Sequence, residues 1–314
     1  MLGLLSFTAQ AQRGRNGAAV VAGVGMIVND YTTLTANATA GSTSVTVASA
    51  TLNTGNRFNT GNLTGNATQR DLVMVIQMQG ASIDASNSAA YGTVTDYGSA
   101  GRYEIMEVQS VSGNTITFTC ALRNTYTVAG RTQIVRIPRY SALTVSPGAS
   151  LTAPAWNGST GGVVAAEVDG STTINGSVTA TGLGFRGGAA TNGAEDAGGS
   201  YADYLSASAT YGGEKGESIA GNQTDYDGRS GRYGRGAPAN GGGGGNAHNC
   251  AGGGGSNAGV GTWTGNGNPD RGSGNAYDAA WNLEGPGFAT STSSGGGRGG
   301  YSYANVDANA LVVG

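Results

Sequence analysis

Apolar and polar residues alternate along Ser44-Val45-Thr46-Val47-Ala48, with β-branched side chains at three of the five positions. A period of two puts one set of side chains on each face of a strand. Tyr103-Glu104-Ile105-Met106-Glu107-Val108 alternates in the same way. Asp71-Leu72-Val73-Met74-Val75-Ile76-Gln77-Met78 instead carries a continuous apolar run, the mark of a strand buried on both faces. Ser110–Phe118 reads as a hairpin, with Gly113-Asn114 as its turn and β-branched residues on either side. Thr132–Ile137 closes the set before Pro138, and residues 12–30 form a Gly/Ala/Val lead-in expected to be one strand. No stretch keeps a helical period. The pattern predicts an all-β fold, with a small β-barrel or sandwich over 12–139.

From Tyr140 the rhythm shortens. Ala142-Leu143-Thr144-Val145, Ser150-Leu151-Thr152-Ala153, Val163–Val168 and Thr172–Ala180 are short strands at close, even spacing. Over 140–181 this suits the coils of a β-solenoid, with a second small sandwich as the alternative. From Gly182 the periodicity ends: 182–314 holds 38 of the 59 glycines. Glycine loses the most backbone freedom on ordering, so composition alone suggests loops or disorder. Spaced aromatics from Phe185 to Tyr303 argue for order, as do Arg229, Arg232, Arg235 and Arg298, which can stack on rings. Glycine runs also permit three-residue-per-turn, left-handed extended helices, which when bundled pair their backbones with neighbours. The expectation for 182–314 is therefore an ordered glycine-rich or polyglycine region docked on the β scaffold, poor in regular secondary structure.

Charge narrows the function. Charged residues are 11%, with 16 Lys+Arg against 19 Asp+Glu and a net charge of −3. That balance excludes the basic stripe of a nucleic-acid binder, including an arginine–glycine RNA segment at Gly228–Gly236. No apolar run is long enough for a membrane-spanning helix. The single lysine, Lys215, sits in Glu214-Lys215-Gly216-Glu217, so no phosphate-binding loop is present.

Four carboxylates, Glu214, Glu217, Asp225 and Asp227, fall within fourteen residues. A pair held at hydrolase spacing would cleave a glycosidic bond; otherwise they form a solvated acidic loop. Asp225-Tyr226-Asp227-Gly228 begins like a calcium loop but lacks the third carboxylate and the closing Glu, which leaves at most an irregular oxygen-ligand calcium site on Asp225 and Asp227. No cofactor is otherwise indicated. His248 is the only histidine; Cys250, two residues on, is the one group in sequence that could pair with it as a dyad, and no catalytic triad is recognisable. Trp156, Trp263 and Trp281 are flanked by Asn, Gly or Thr; each is either a platform for a sugar face or an anchor for its own loop. Cys120 and Cys250 are either two thiols or one inter-region disulfide, and two cysteines with one histidine cannot close a zinc site. Leu2–Phe7 is apolar, and Ala9-Gln10-Ala11 has the small-x-small form of a signal-peptidase site, so 1–11 reads as the end of a secretory signal.

Several blocks resemble the N-terminal region of large glycine-rich secreted surface proteins of Bacteroidetes, the gliding-adhesin type exported by type IX secretion, with similar proteins in myxobacteria. They are Asp71–Ala81, Ala153–Gly158, Gly182–Gly188, Gly213–Glu217 and Arg232–Asn240 running into the glycine core. The resemblance carries no catalytic motif. It implies secretion through the outer-membrane machinery, display at the cell surface, and continuation past Leu311-Val312-Val313-Gly314 into repeats and a sorting domain. The expected function is a non-enzymatic adhesin or matrix module contacting glycans or a cell or abiotic surface. A carbohydrate-active enzyme on a β-solenoid and a purely structural spacer are the alternatives.

Overall fold

The chain opens with two short strands, β1 (Ala18–Val21) and β2 (Met26–Ile27). Longer ones follow: β3 (Asp30–Thr33), β4 (Ser44–Thr46), β5 (Leu72–Gln77), β6 (Ser82–Ile83), β7 (Val94–Asp96), β8 (Tyr103–Ser112), β9 (Thr115–Phe118) and β10 (Thr132–Ile137). It then returns to short strands: β11 (Arg139–Tyr140), β12 (Ala142–Val145), β13 (Ser150–Thr152), β14 (Glu167–Val168), β15 (Thr172–Ile174) and β16 (Ser177–Val178). The one described helix is α1 (Gln223–Asp227). This computed structural model describes residues 15–52, 62–66, 69–88, 90–190, 203–209, 212–245, 252–256, 297–300 and 311. The fold is all-β, as the alternation predicts. It divides into two units, one of 1–76, 104–128 and 132–183, the other of 77–103, 129–131 and 184–314.

Within the first unit, six strands form one sheet in the order β3-β10-β5-β8-β9-β4. The sheet curls until its edge strands meet: Thr35 N–H donates to the Thr46 carbonyl at 2.9 Å and Ala48 N–H to the Thr33 carbonyl at 3.0 Å. Closure of this kind removes exposed edges. The inward residues form one core of Leu34, Val45, Val47, Leu52, Val73, Val75, Met106, Val108, Ile116, Phe118, Leu122, Tyr126 and Ile134. β5 is buried throughout, as its apolar run implies. β10 is also buried throughout despite Gln133 and Arg136. Their partners explain this. The Arg136 guanidinium donates to Asp71 at 3.0 Å and to the Leu52 carbonyl at 2.5 Å. The Gln133 amide both donates to the Gly161 carbonyl and accepts from its N–H. Buried polar groups survive only when partnered in this way.

The short strands pair in parallel across long sequence separations. β1, β12 and β15 form one ladder, in register Val21↔Val145↔Ile174. β2, β13 and β16 form a second, in register Met26↔Leu151↔Val178. β11 pairs with β14. Three coils of a β-solenoid result: β1–β2, then β11–β13, then β14–β16. The six-stranded sheet is therefore an insertion between the first and second coils. The lead-in expected to be one strand is two, and together they are the first coil. Their shared core holds Ala19, Val21, Val28, Tyr140, Leu143, Val145, Ala149 and Leu151. Between coils the Arg139 guanidinium bonds Glu167 at 2.5 Å.

In the second unit, β6 and β7 pair with a bulge at Ser82/Ile83, and α1 is capped at both ends of one box. The Asn222 side chain accepts from the N–H of Asp225, whose carboxylate accepts from Asn222 N–H. The glycine segments pair backbone to backbone. Gly213 and Gly216, three residues apart, donate to the carbonyls of Gly245 and Gly242, also three apart, at 2.7 and 2.9 Å. Between these, Gly243 N–H donates to Arg298 and Gly244 N–H to Gly234. A β-strand offers its peptide groups in two directions; these successive residues address the 213–216, 234 and 298 segments in turn. This pairing on several sides needs no side chains and lets the glycine segments lie close together.

Candidate functional site

The alternative of a carbohydrate-active enzyme would rest on the four carboxylates of the acidic stretch, and each of them has a partner. Glu214 accepts from Arg232 Nε at 2.7 Å and from Ala189 N–H at 2.6 Å. Asp227 accepts from Nη1 of the same Arg232 at 3.0 Å. The side chain of Glu217 is fully buried and accepts from Arg186 Nη2 at 2.5 Å and Arg186 N–H at 2.9 Å. Asp225 pairs with Arg131 at 2.8 Å and with the cap amide of Asn222. The structure thus joins Glu214 and Asp227 through one guanidinium and commits Glu217 and Asp225 to two others. Each of the four carboxylates is engaged by guanidinium or backbone donors. Asp225 and Asp227, the two oxygen donors proposed for calcium, likewise carry guanidinium partners, and no group of three metal-ligating side chains occurs among the described residues. Asp225→Ala is expected to lower the stability of this unit by about 1 kcal/mol, through loss of the cap and a half-exposed ion pair. Urea unfolding with and without added calcium measures that loss, and a calcium-dependent rise in wild-type stability would show that the carboxylates exchange their partners for the ion.

Lys215 lies at the centre of the unit. It is fully buried. Its Nζ donates to the Tyr233 carbonyl and stands 4.8 Å from the centre of the Tyr91 ring. Its own backbone donates to Arg232 and accepts from Gln223 Nε2 at 3.1 Å. Among the described residues no carboxylate is within ion-pair distance of Nζ, although Glu214 and Glu217 are its near neighbours in sequence. Burial therefore brings its pKa down to about 7. Nearby Tyr226 is also fully buried, and its hydroxyl shares hydrogen bonds with Ser218 Oγ and the Gly221 carbonyl at 2.9 and 2.8 Å. Burial pushes its pKa up.

Three of the four interleaved arginines stack as the sequence suggests. Arg235 and Arg298 lie 4.9 and 5.3 Å from the Tyr204 ring, and Arg232 lies 5.7 Å from that of Tyr233. Tyr91 and Arg131 were not legible as partners of this region: they lie 124 and 94 residues before Lys215 and Asp225, and nothing local marks them. Trp156 corrects one expectation. It is 3% exposed, with its N–H donating to Leu183 at 2.8 Å. A sugar cannot reach its face, so it anchors its loop. Trp263, Trp281, His248 and Cys250 lie outside the described residues, and Cys120 is an exposed free thiol.

No family model matches the chain, and no curated protein matches it. Among solved structures it is similar to three phage tailspikes. One is gp61 of Pseudomonas phage phi297, at 16% identity over 43% of this chain and 21% of that one, TM-score 0.23. Another is the Gp54 tailspike of Acinetobacter baumannii bacteriophage AP22, solved with a capsular saccharide, at 18% identity over 51% and 23%, TM-score 0.23. The third is gp49 of Pseudomonas phage LKA1, at 18% identity over 45% and 25%, TM-score 0.20. The chain spans about a quarter or less of each. Likeness this slight carries no weight for fold or ligand. No described helix is long and apolar enough to cross a membrane.

Proposed function

We propose that the chain is a secreted, non-enzymatic module of a cell-surface adhesin or matrix protein, and that its glycine-rich unit presents a firm surface to glycans or to another cell or abiotic surface. The observation that carries this is the commitment of all four candidate catalytic carboxylates to guanidinium or backbone donors. A hydrolase needs one carboxyl that holds a proton and another that is open to water or to the sugar. The backbone pairing of 213–216 with 242–245 supports the same reading. Its rigidity comes from main-chain bonds rather than from side chains. The blocks shared with gliding-type adhesins support secretion and surface display by the type IX route.

A glycan array probed with purified 12–314 tests the binding. The expected result is retention on a subset of glycans, with Trp263→Ala and Trp281→Ala each weakening it roughly tenfold, as loss of a stacked ring does. Silence on every glycan and on abiotic surfaces would leave the spacer reading. Release of reducing ends from a bound glycan, abolished by Glu214→Gln, would establish the enzyme instead.

A further inference from the structure

The solenoid is closed at one end and bare at the other. Its inward positions form continuous ladders from coil to coil. In the first ladder Val21 and Val145 are 0% exposed, and Ile174 is 44% exposed. In the second, Leu151 is 2% exposed and its neighbour Val178 is 50% exposed. The inward Ala19, Val21 and Val28 of the first coil are thus buried, whereas every residue of β15 and β16 is exposed. The backbone shows the same asymmetry. Asn175 N–H donates to Val145, Thr179 N–H to Leu151, and the Ser171 carbonyl accepts from Leu143. In a parallel ladder alternate residues face the same neighbour. The peptide groups of Thr172, Ile174 and Val178 therefore point outward. β14, β15 and β16 are all edge strands of their sheets.

Natural sheets protect such edges with charge, proline or a bulge. Residues 170–183, Gly-Ser-Thr-Thr-Ile-Asn-Gly-Ser-Val-Thr-Ala-Thr-Gly-Leu, contain neither charge nor proline. The only charges on this coil, Glu167 and Asp169, lie at its start.

We propose that this bare coil is a dimerisation surface and that its occupant is the same coil of a second copy. A twofold axis through the middle of β15 lays that strand antiparallel on its copy, so the outward groups of Thr172 and Ile174 meet equivalent groups. The same axis exchanges β14 with β16. Glu167 and Asp169 then face the hydroxyl-bearing Ser177 and Thr179 of the partner rather than their own images, so no like charges oppose. The contact continues the packing already made between the second and third coils: Ile174 and Val178 gain the apolar cover that Val145 and Leu151 have. A closed twofold pair uses up the edge and cannot propagate. A head-to-tail stack would set the third coil against β1, whose inward Ala19 and Val21 are already buried and gain no further cover.

Sedimentation equilibrium of purified 12–314 at micromolar concentrations tests this. The expected result is a monomer–dimer equilibrium. Ile174→Lys and Val178→Glu should each weaken it at least roughly tenfold, the first by setting two ammonium groups beside the axis and the second by setting a carboxylate beside Glu167 and Asp169 of the copy. Both positions are half-exposed, so circular dichroism of the variants should match wild type, and Ile105→Lys, at a comparably exposed site on β8 (53%), should leave the dimer intact. A monomer across the whole concentration range, a series of ever larger species, or a dimer indifferent to both substitutions would each overturn the proposal.

Discussion

Gly244→Ala is expected to unfold the glycine-rich unit or leave it close to unfolding, a loss of about 3–6 kcal/mol from two or three broken main-chain bonds at 1–3 kcal/mol each. A methyl group at Gly244 would overlap the carbonyl of Gly213. Neither backbone can yield freely. Gly213 is held by its N–H bond to the Gly245 carbonyl at 2.7 Å, and Gly244 by its own to Gly234 at 2.9 Å. Moving either segment opens bonds on two neighbours, because each row is paired on more than one side. At Gly187, in the same tract, a methyl group would meet nothing within 4 Å. Gly187→Ala should therefore be neutral, or stabilising by a few tenths of a kcal/mol, by removing freedom from the unfolded chain. Amide exchange over 212–245 separates the two variants. Equal protection in both would mean that the glycines serve solubility or flexibility rather than close packing.

The contrast shows why the sequence could be read so unevenly. β5 and the Gly113 hairpin were legible because period and turn chemistry are local, and Gly113 takes the positive φ, 55°, that its turn requires. The solenoid rhythm after Tyr140 was legible for the same reason. Its first coil was not, because β1 finds its partner β12 more than a hundred residues later and a lone Ala-Ala-Val-Val carries no sign of that. In the glycine tract composition favours disorder. Over the described residues of the tract, main-chain pairing between segments decides otherwise, and no side-chain pattern encodes it. The same holds for the carboxylates. Glu217 looks like a solvent-facing acid beside Lys215 until Arg186, thirty-one residues earlier, is seen to bury it. The contribution of residues 77–103 to the glycine-rich unit had no local signature either: Gln79 reaches the Ser218 carbonyl at 2.9 Å, and Gly80 and Ala81 both donate to Ile219.

Stability of the glycine-rich unit is expected to rise with pH between about 7 and 9.5, because of Lys215. In the unfolded chain this amine titrates near its ordinary 10.5; folded, it titrates near 7. Between those values the unfolded chain holds the extra proton, so raising the pH favours folding. Below pH 7 both states are protonated and the full cost of burying the ammonium is present and constant. Each pH unit across the window is worth at most 1.36 kcal/mol, so the gain from 7 to 9.5 is at most about 3 kcal/mol. The Tyr91 ring and the Tyr233 carbonyl offset part of the burial cost, and the Arg232 and Arg186 guanidiniums hold Glu214 and Glu217 away from the amine. Above pH 10 the sign reverses. Burial holds the hydroxyls of Tyr91 and Tyr226 protonated in the folded state well above their ordinary 10.0, and the unfolded chain loses those protons first. Urea midpoints should therefore climb from pH 7, peak near 9.5 to 10, and fall. Lys215→Met removes the ammonium while keeping its stem, and should flatten the climb without abolishing the fall. A climb unchanged in Lys215→Met would assign the dependence to another group, and a flat wild-type profile would mean that Lys215 reaches water when protonated.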